Sequence, residues 1–311
     1  MKAVLIVGPG AVGSLLAFYA ARNGKTVYLL GKSLKSDQKK VRRGISFKDA
    51  SGKQFKISNN IFCARNFNFR LPVSAAFFCV KNADVSKAAK TSLKYLPSSV
   101  PVVFLQNGLK HPALIRKIFN SKDVVIGTCY AAAEKILSGT VIHHGGRGVV
   151  LAQNKENSKT LQGVAALLSE DGWDVSAEKN EEKMLWKKLC LNAAVNPLGA
   201  LAKATNGEIG SSVELRLIAE EIMKESLLVA RACGQKVSQK DMRRLLTQVC
   251  RPTSEQRNST LQDIEKGKRT EMRQILTPIL IEANRRKINI PVLSRIARMI
   301  FKLEDYVCRN F

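Results

Sequence analysis

The sequence predicts an α/β protein in two parts. An N-terminal Rossmann-type dinucleotide-binding domain spans residues 1–177, and an all-helical domain spans residues 178–311. Three observations lead there. The turn Gly8-Pro9-Gly10-Ala11-Val12-Gly13 stands between a short apolar run and an apolar helical pattern. From about Glu178 onward, strand signals give way to long helical periodicity. Within that second half, residues 186–198 read as a helix whose mostly apolar middle is interrupted by Lys188, Asn192 and Asn196.

Composition bounds the class. A chain of 311 residues is long enough for two sizeable cores, and 45% hydrophobic content marks a globular protein. No apolar run approaches the roughly 20 residues needed to span a bilayer. The opening Met1-Lys2-Ala3-Val4-Leu5-Ile6-Val7 lacks signal-peptide organisation and reads as a first strand, so the expected compartment is the cytoplasm. Seven scattered cysteines without a CxxC pair suit reduced thiols, and three histidines give no metal site. The net charge is +26. Basic runs such as Lys39-Lys40-Val41-Arg42-Arg43, Arg243-Arg244 and Arg285-Arg286-Lys287 carry no zinc-finger or aromatic-interleaved signature. They read as solvated faces that steer anions, with no specific nucleic-acid partner and no membrane partner expected.

In chain order, Val4–Val7 is the first strand and Ser14–Arg22 the first helix, closed by Gly24. Thr26–Leu30 is the second strand. The glycines allow a pyrophosphate to approach the backbone, and the helix N-terminus offers it unpaired N–H groups. The second strand ends Gly31-Lys32-Ser33, with a cation and no acid, which favours the 2′-phosphate of NADP(H). Residues 35–70 are basic and polar with short alternating runs, and are expected to form strands and loops. Ala75–Val80 and Pro101–Leu105 are buried strands ending at Lys81 and at Gln106-Asn107-Gly108. In an open parallel sheet, ligands lie beyond the carboxyl ends of strands, which draws attention to Lys81 and Asn107. Val124–Thr128 and Gly139–His143 continue the β pattern, with His143 and His144 expected on a strand surface. A last strand is expected around residues 171–175.

The marked helix runs from about Asn180 to Leu201. At about 100° and 1.5 Å per residue, Lys188, Asn192 and Asn196 lie within roughly an 80° arc and span about 12 Å. Polar groups on a buried helix are costly unless something polar lies against them. Further helices are expected over 214–233, 241–249, up to Asn284, and from Pro291 to Leu303.

The motifs GPGAVG, CVKNADV, FLQNGL, WKKLCLNAAVNPLGAL, NGE and NSTLQDIEKGKRTE, in that order, resemble the ketopantoate reductase family over nearly the whole chain. The resemblance implies a 6-phosphogluconate-dehydrogenase-like helical half, and NADPH-dependent reduction of ketopantoate, a small anionic 2-keto acid. It implies Lys188 as the proton donor. Glu271 is implied beside the nicotinamide ribose, and Asn107, Asn192, Asn196, Asn206 and Ser259 as substrate contacts. Gly8, Pro9, Gly10, Ala11, Val12, Gly13, Lys32, Lys81, Asn107, Ala133 and Glu271 fall on the cofactor side, and the protein would be a monomer or homodimer. The chain departs from the family's pattern at Lys110-His111-Pro112, Met272-Arg273 and Arg286-Lys287, and carries Lys32 where arginine is frequent. A related reductase of another branched 2-keto acid and a non-catalytic NADP-binding module are the competing readings.

Overall fold

The computed structural model describes residues 2–109, 111–120, 123–136 and 139–310, so Lys110 of the Lys110-His111-Pro112 departure lies outside the described residues. The chain divides into two compact units, Met1–Gln106 with Lys110–Glu181 and Asn107–Leu109 with Glu182–Phe311. The short stretch after Gln106 therefore belongs with the helices.

The first unit runs β1 (Ala3–Val7), α1 (Ala11–Arg22), β2 (Thr26–Leu30), α2 (Leu34–Arg43), β3 (Ile45–Lys48), β4 (Gln54–Ile57), β5 (Ile61–Cys63), β6 (Ala75–Phe78), α3 (Val85–Ser92), β7 (Val102–Phe104), α4 (His111–Arg116), β8 (Val124–Cys129), β9 (Ala132–Lys135), β10 (Val141–Gly145), β11 (Gly148–Ala152), α5 (Ser158–Glu170) and β12 (Asp174–Glu178). Eight strands form one sheet in the order β12-β11-β8-β7-β6-β1-β2-β5. From β5 to β8 the pairings are parallel, and β11 joins β8 antiparallel. Every residue of β1 is buried, as expected for a central parallel strand covered on both faces.

A smaller sheet, β4-β3-β10-β9, explains why α1 has no polar face. Gly13 through Ala21 are all buried, because Leu15, Leu16 and Phe18 meet apolar side chains from both sheets. Phe18 stacks on Phe47 of β3 with ring centroids 4.0 Å apart. His143 of β10 is part of this packing and does not lie on a strand surface as expected. It is only 5% exposed, and its Nε2 lies 2.6 Å from the Gly146 carbonyl oxygen. A carbonyl only accepts, so Nε2 carries the proton and Nδ1 accepts from the Tyr19 hydroxyl at 3.2 Å. Burial lowers the His143 pKa, which keeps the ring neutral.

The second correction is α2, which forms where only strands and loops were expected. Ser33 caps it by accepting the Ser36 N–H at 3.3 Å, and Gly44 closes it at φ +70°. Its one fully buried side chain is Asp37, so no apolar stripe announces the helix.

The second unit contains α6 (Glu181–Ala202), α7 (Asn206–Ser211), α8 (Val213–Ala232), α9 (Gln239–Cys250), α10 (Ser259–Glu265), α11 (Met272–Arg285) and α12 (Pro291–Asn310). α8 packs against α9, α11 and α12. Among the described residues no helix is long and apolar enough to cross a membrane, and no disulfide forms.

Glu225, buried in α8, receives the Val292 and Leu293 N–H groups at 3.0 and 2.7 Å and so caps α12. Glu225→Ala strands two N–H groups at a buried helix terminus. It should lower the unfolding free energy by about 2–4 kcal/mol, with Glu225→Gln intermediate, as read by urea denaturation of the full chain.

Candidate functional site

In the N-terminal unit, the glycine turn is fixed by contacts that admit no side chain at two positions. Gly8 adopts φ +88°, and a Cβ there would fall 2.5 Å from Val80 Cγ1. A Cβ on Gly13 would fall 2.3 Å from the Gly8 carbonyl oxygen, so helix and turn touch through backbone. Gly10 is different. Its Cβ direction meets only the Gly8 oxygen, at 4.0 Å, and otherwise open space. The Gly8 N–H is held by Leu30 O at 2.8 Å, Gly10 N–H by Gly8 O at 2.7 Å, and Ser14 donates its hydroxyl to Pro9 O at 3.1 Å. Ala11 and Val12 open α1, which has no acidic residue in its first turn. A helix N-terminus without acids and an uncovered glycine fit the pyrophosphate of a dinucleotide.

The end of β2 carries a residue that sequence reasoning missed. Asp37, fully buried, accepts the Gly31 N–H at 2.8 Å and lies 3.4 Å from the Arg65 guanidinium, which also donates to Gly31 O at 2.9 Å. This acid is turned into the protein and is not presented to a ribose. Lys32 next to it is 87% exposed and pairs with Asp84 at 3.3 Å, leaving the ammonium accessible. Lys81 is exposed just after β6, and Ala133 lies in β9, its backbone opposite His143.

In the helical unit, α6 buries fifteen residues, among them Asn192 and Asn196, with Lys188 half-buried one turn earlier on the same face. Asn192 Nδ2 donates to Asn107 Oδ1 at 3.2 Å, and Asn107 Nδ2 donates to Glu271 Oε2 at 3.4 Å. Asn107, Asn192 and Glu271 are thereby brought together in one chain of hydrogen bonds. Glu271 sits at the start of α11, and its neighbours are braced. Thr270 gives its N–H to the buried Glu304 at 2.9 Å and its hydroxyl to the same carboxylate, which Arg273 approaches at 3.3 Å.

Asn206 and Ser259 are placed otherwise. Asn206 opens α7 and spends its amide nitrogen on Thr253 Oγ1 at 2.9 Å and Gln256 Oε1 at 3.3 Å, while its Oδ1 has no hydrogen-bond partner. Ser259 is exposed at the first position of α10. Its neighbour Asn258 caps that helix, accepting the Thr260 and Leu261 N–H groups, and donates Nδ2 to Val195 O of α6 at 3.2 Å. Only glycine at position 199 permits this, since a Cβ there would fall 2.0 Å from Asn258 Nδ2. The signal was available: Asn followed by Ser and Thr before an apolar residue is a helix start. Among the described residues no cluster of His, Cys, Asp or Glu is arranged to hold a metal.

Both halves match one family. Residues 4–156 match the family model described as "Ketopantoate reductase PanE/ApbA", and residues 180–304 match "Ketopantoate reductase PanE/ApbA C terminal". A 2-dehydropantoate 2-reductase of Halobacterium salinarum is 26% identical over 298 residues, covering 96% of this chain and 97% of the relative. The crystal structure of a PanE/ApbA family ketopantoate reductase from Ralstonia eutropha superposes with a TM-score of 0.80 at 26% identity, covering 99% of each chain. A D-mandelate dehydrogenase in a ternary structure with NADH and anilino(oxo)acetate superposes with a TM-score of 0.87, covering 99% of each chain, but at 20% identity. That last likeness is one of fold.

The two kinds of glycine should separate experimentally. Gly13→Ala forces Gly8 away and should both destabilise the N-terminal unit and weaken dinucleotide binding at least about tenfold. Gly10→Ala should keep the thermal midpoint while losing binding, measured by quenching of NADPH fluorescence.

Proposed function

Because the chain belongs to the ketopantoate reductase family of oxidoreductases, we propose that it reduces 2-dehydropantoate to (R)-pantoate with NADPH, a step toward pantothenate and coenzyme A in the cytoplasm. The observation that carries this reading is the polar row on α6, joined through Asn107 to Glu271 inside an otherwise apolar helix surface. Such a row is costly in a protein that does not use it.

When bound, the reduced nicotinamide supplies a hydride to the keto carbon. Negative charge then develops on the keto oxygen. Lys188 holds its ammonium against that oxygen, stabilises the charge, and transfers a proton from Nζ to complete the alcohol. Solvent restores the lysine proton. Asn107 sets the amide of Asn192 and the carboxylate of Glu271 in fixed orientation, and Glu271 would hold the nicotinamide ribose, as the resemblance implies. Asn192, Asn196, Asn206 and Ser259 take the substrate's hydroxyl and carboxylate, as the resemblance implies. Neutral amides bind these groups without adding charge to a dry site.

The N-terminal residues fit the dinucleotide by type. Gly8, Pro9, Gly10, Ala11, Val12 and Gly13 take the pyrophosphate, with Lys81 and Ala133 assigned to the same cofactor. NADP is preferred over NAD because Asp37 is consumed by Gly31 and Arg65, while Lys32 is exposed to a 2′-phosphate.

The test follows NADPH oxidation with ketopantoate, 2-ketoisovalerate and pyruvate. Ketopantoate should have the highest kcat/KM, and Lys188→Ala should lower turnover about a hundredfold or more. Undiminished turnover by that variant removes the lysine from the mechanism, and preference for another keto acid overturns the substrate. In a separate titration, Lys32→Ala should weaken NADPH binding much more than NADH binding. Equal losses would refute the 2′-phosphate role.

A further inference from the structure

A second concavity lies wholly within the N-terminal unit, bounded by α2, the start of β3, β4 and β9, with a volume of about 400 Å³. Its walls carry Lys39, Lys40, Arg43, Lys56 and Lys135, and among the described residues no carboxylate lines it. Pro9, Ser14 and Leu29 form part of its inner surface. Three of the five cations come from the basic run on α2 that the sequence presents as a solvated face. The fold instead curls that run over a cavity and adds two cations from other strands.

The one acid of α2, Asp37, faces inward and offsets this charge only in part, through its pull on Lys40. Asp37 is fully buried and occupied by the Gly31 N–H and Arg65. Lys135 is the most enclosed of the five: its Nζ donates to Pro9 O at 3.2 Å and Ser14 Oγ at 3.3 Å. Burial, and next the charge of Lys40, push its ammonium down to about 8, and burial also lowers Lys40 against the pull of Asp37. Two ammonium groups that repel across a recess gain most from a ligand carrying at least two negative charges.

We propose that this cavity binds a small phosphate-bearing metabolite, an anion of charge two or more, at a site separate from the glycine turn's dinucleotide groove. The volume lies in the range of small-molecule pockets, roughly 300–1,000 Å³. Four ammonium groups and one guanidinium provide a donor set suited to the several oxygens of a phosphomonoester or pyrophosphate. A monocarboxylate would leave most of that set unanswered. The groove at the N-terminus of α1 offers backbone N–H groups. This cavity offers side-chain cations and meets the turn on its carbonyl side, at Pro9 O. The inference stands apart from the identity of the reduced substrate, because none of the five cations is assigned to catalysis or to the cofactor.

Inorganic pyrophosphate is the probe, titrated calorimetrically into the full-length protein already saturated with NADPH, so that the glycine turn is occupied. One site is expected to remain, with affinity falling as salt is raised. The double variant Arg43→Gln/Lys56→Gln changes two exposed side chains and should fold. It should weaken pyrophosphate at least about tenfold while leaving NADPH affinity and turnover unchanged. Lys40→Gln should act in the same direction. The proposal is overturned if NADPH-loaded protein binds no pyrophosphate, which would place the anion in the cofactor groove. It is also overturned if the variants bind as tightly as the parent, which would make the interaction nonspecific charge attraction.

Discussion

The helical unit is organised by the need to satisfy polar groups on a buried helix. α6 hides fifteen of its residues, and among them Asn192 and Asn196 must find partners or cost several kcal/mol. Asn107 answers part of that demand by accepting from Asn192 and donating to Glu271. For this the chain leaves the first unit after Gln106 and lends three residues, Asn107–Leu109, to the second. Gln106 itself stays behind, donating to Phe78 O of β6 at 2.8 Å. Adjacent side chains thus serve different units, one closing a sheet and the other completing a polar row. Gly199 and Asn258 belong to the same constraint, since the missing side chain at 199 lets the Asn258 amide reach Val195 O. α6 is thus held at its backbone through Val195 O and by its side chains through the Asn192 amide.

Charge in the N-terminal unit is arranged by withdrawal of acids as much as by supply of bases. α1 has no acid in its first turn, and Asp37 faces inward onto Gly31 and Arg65. Lys25 is treated the opposite way: it is buried against Asp171 and holds Leu167 O at 3.3 Å, so its charge is spent on the fold. The proposed cofactor and keto acid are both anions, and a net charge of +26 would favour their encounter before any specific contact forms.

Much of this was legible in the sequence, and the failures have physical causes. The strand–turn–helix around Gly8–Gly13 was readable because close contacts at Gly8 and Gly13 admit no side chain, which leaves spaced glycines in the sequence. The helix from 181 to 202 was readable because its polar positions recur at helical spacing in an apolar run. α2 was hidden because burial of one carboxylate, Asp37, leaves no apolar periodicity to detect. The setting of His143 was hidden for another reason: Tyr19 and Phe47 come from distant parts of the chain, and only the closing of the small sheet over α1 brings them to it.

The departures from the family's pattern can be weighed by what they touch. Met272-Arg273 follows Glu271 directly and looks, in sequence, like a disturbance of the site. In the fold Met272 is fully buried, and Arg273 projects the other way, to Glu304 at 3.3 Å and bidentately to Asp305 at 2.8 Å. Glu304 is 1% exposed and also receives Thr270, so without a cation nearby its charge would be poorly compensated. Arg273 therefore neutralises a carboxylate whose other task is to hold the residue before Glu271. A substitution adjacent to the site in sequence serves α11 and α12, and leaves the Asn107–Glu271 bond and the α6 row as they are. The departures around 272 bear on how firmly the residue before Glu271 is held.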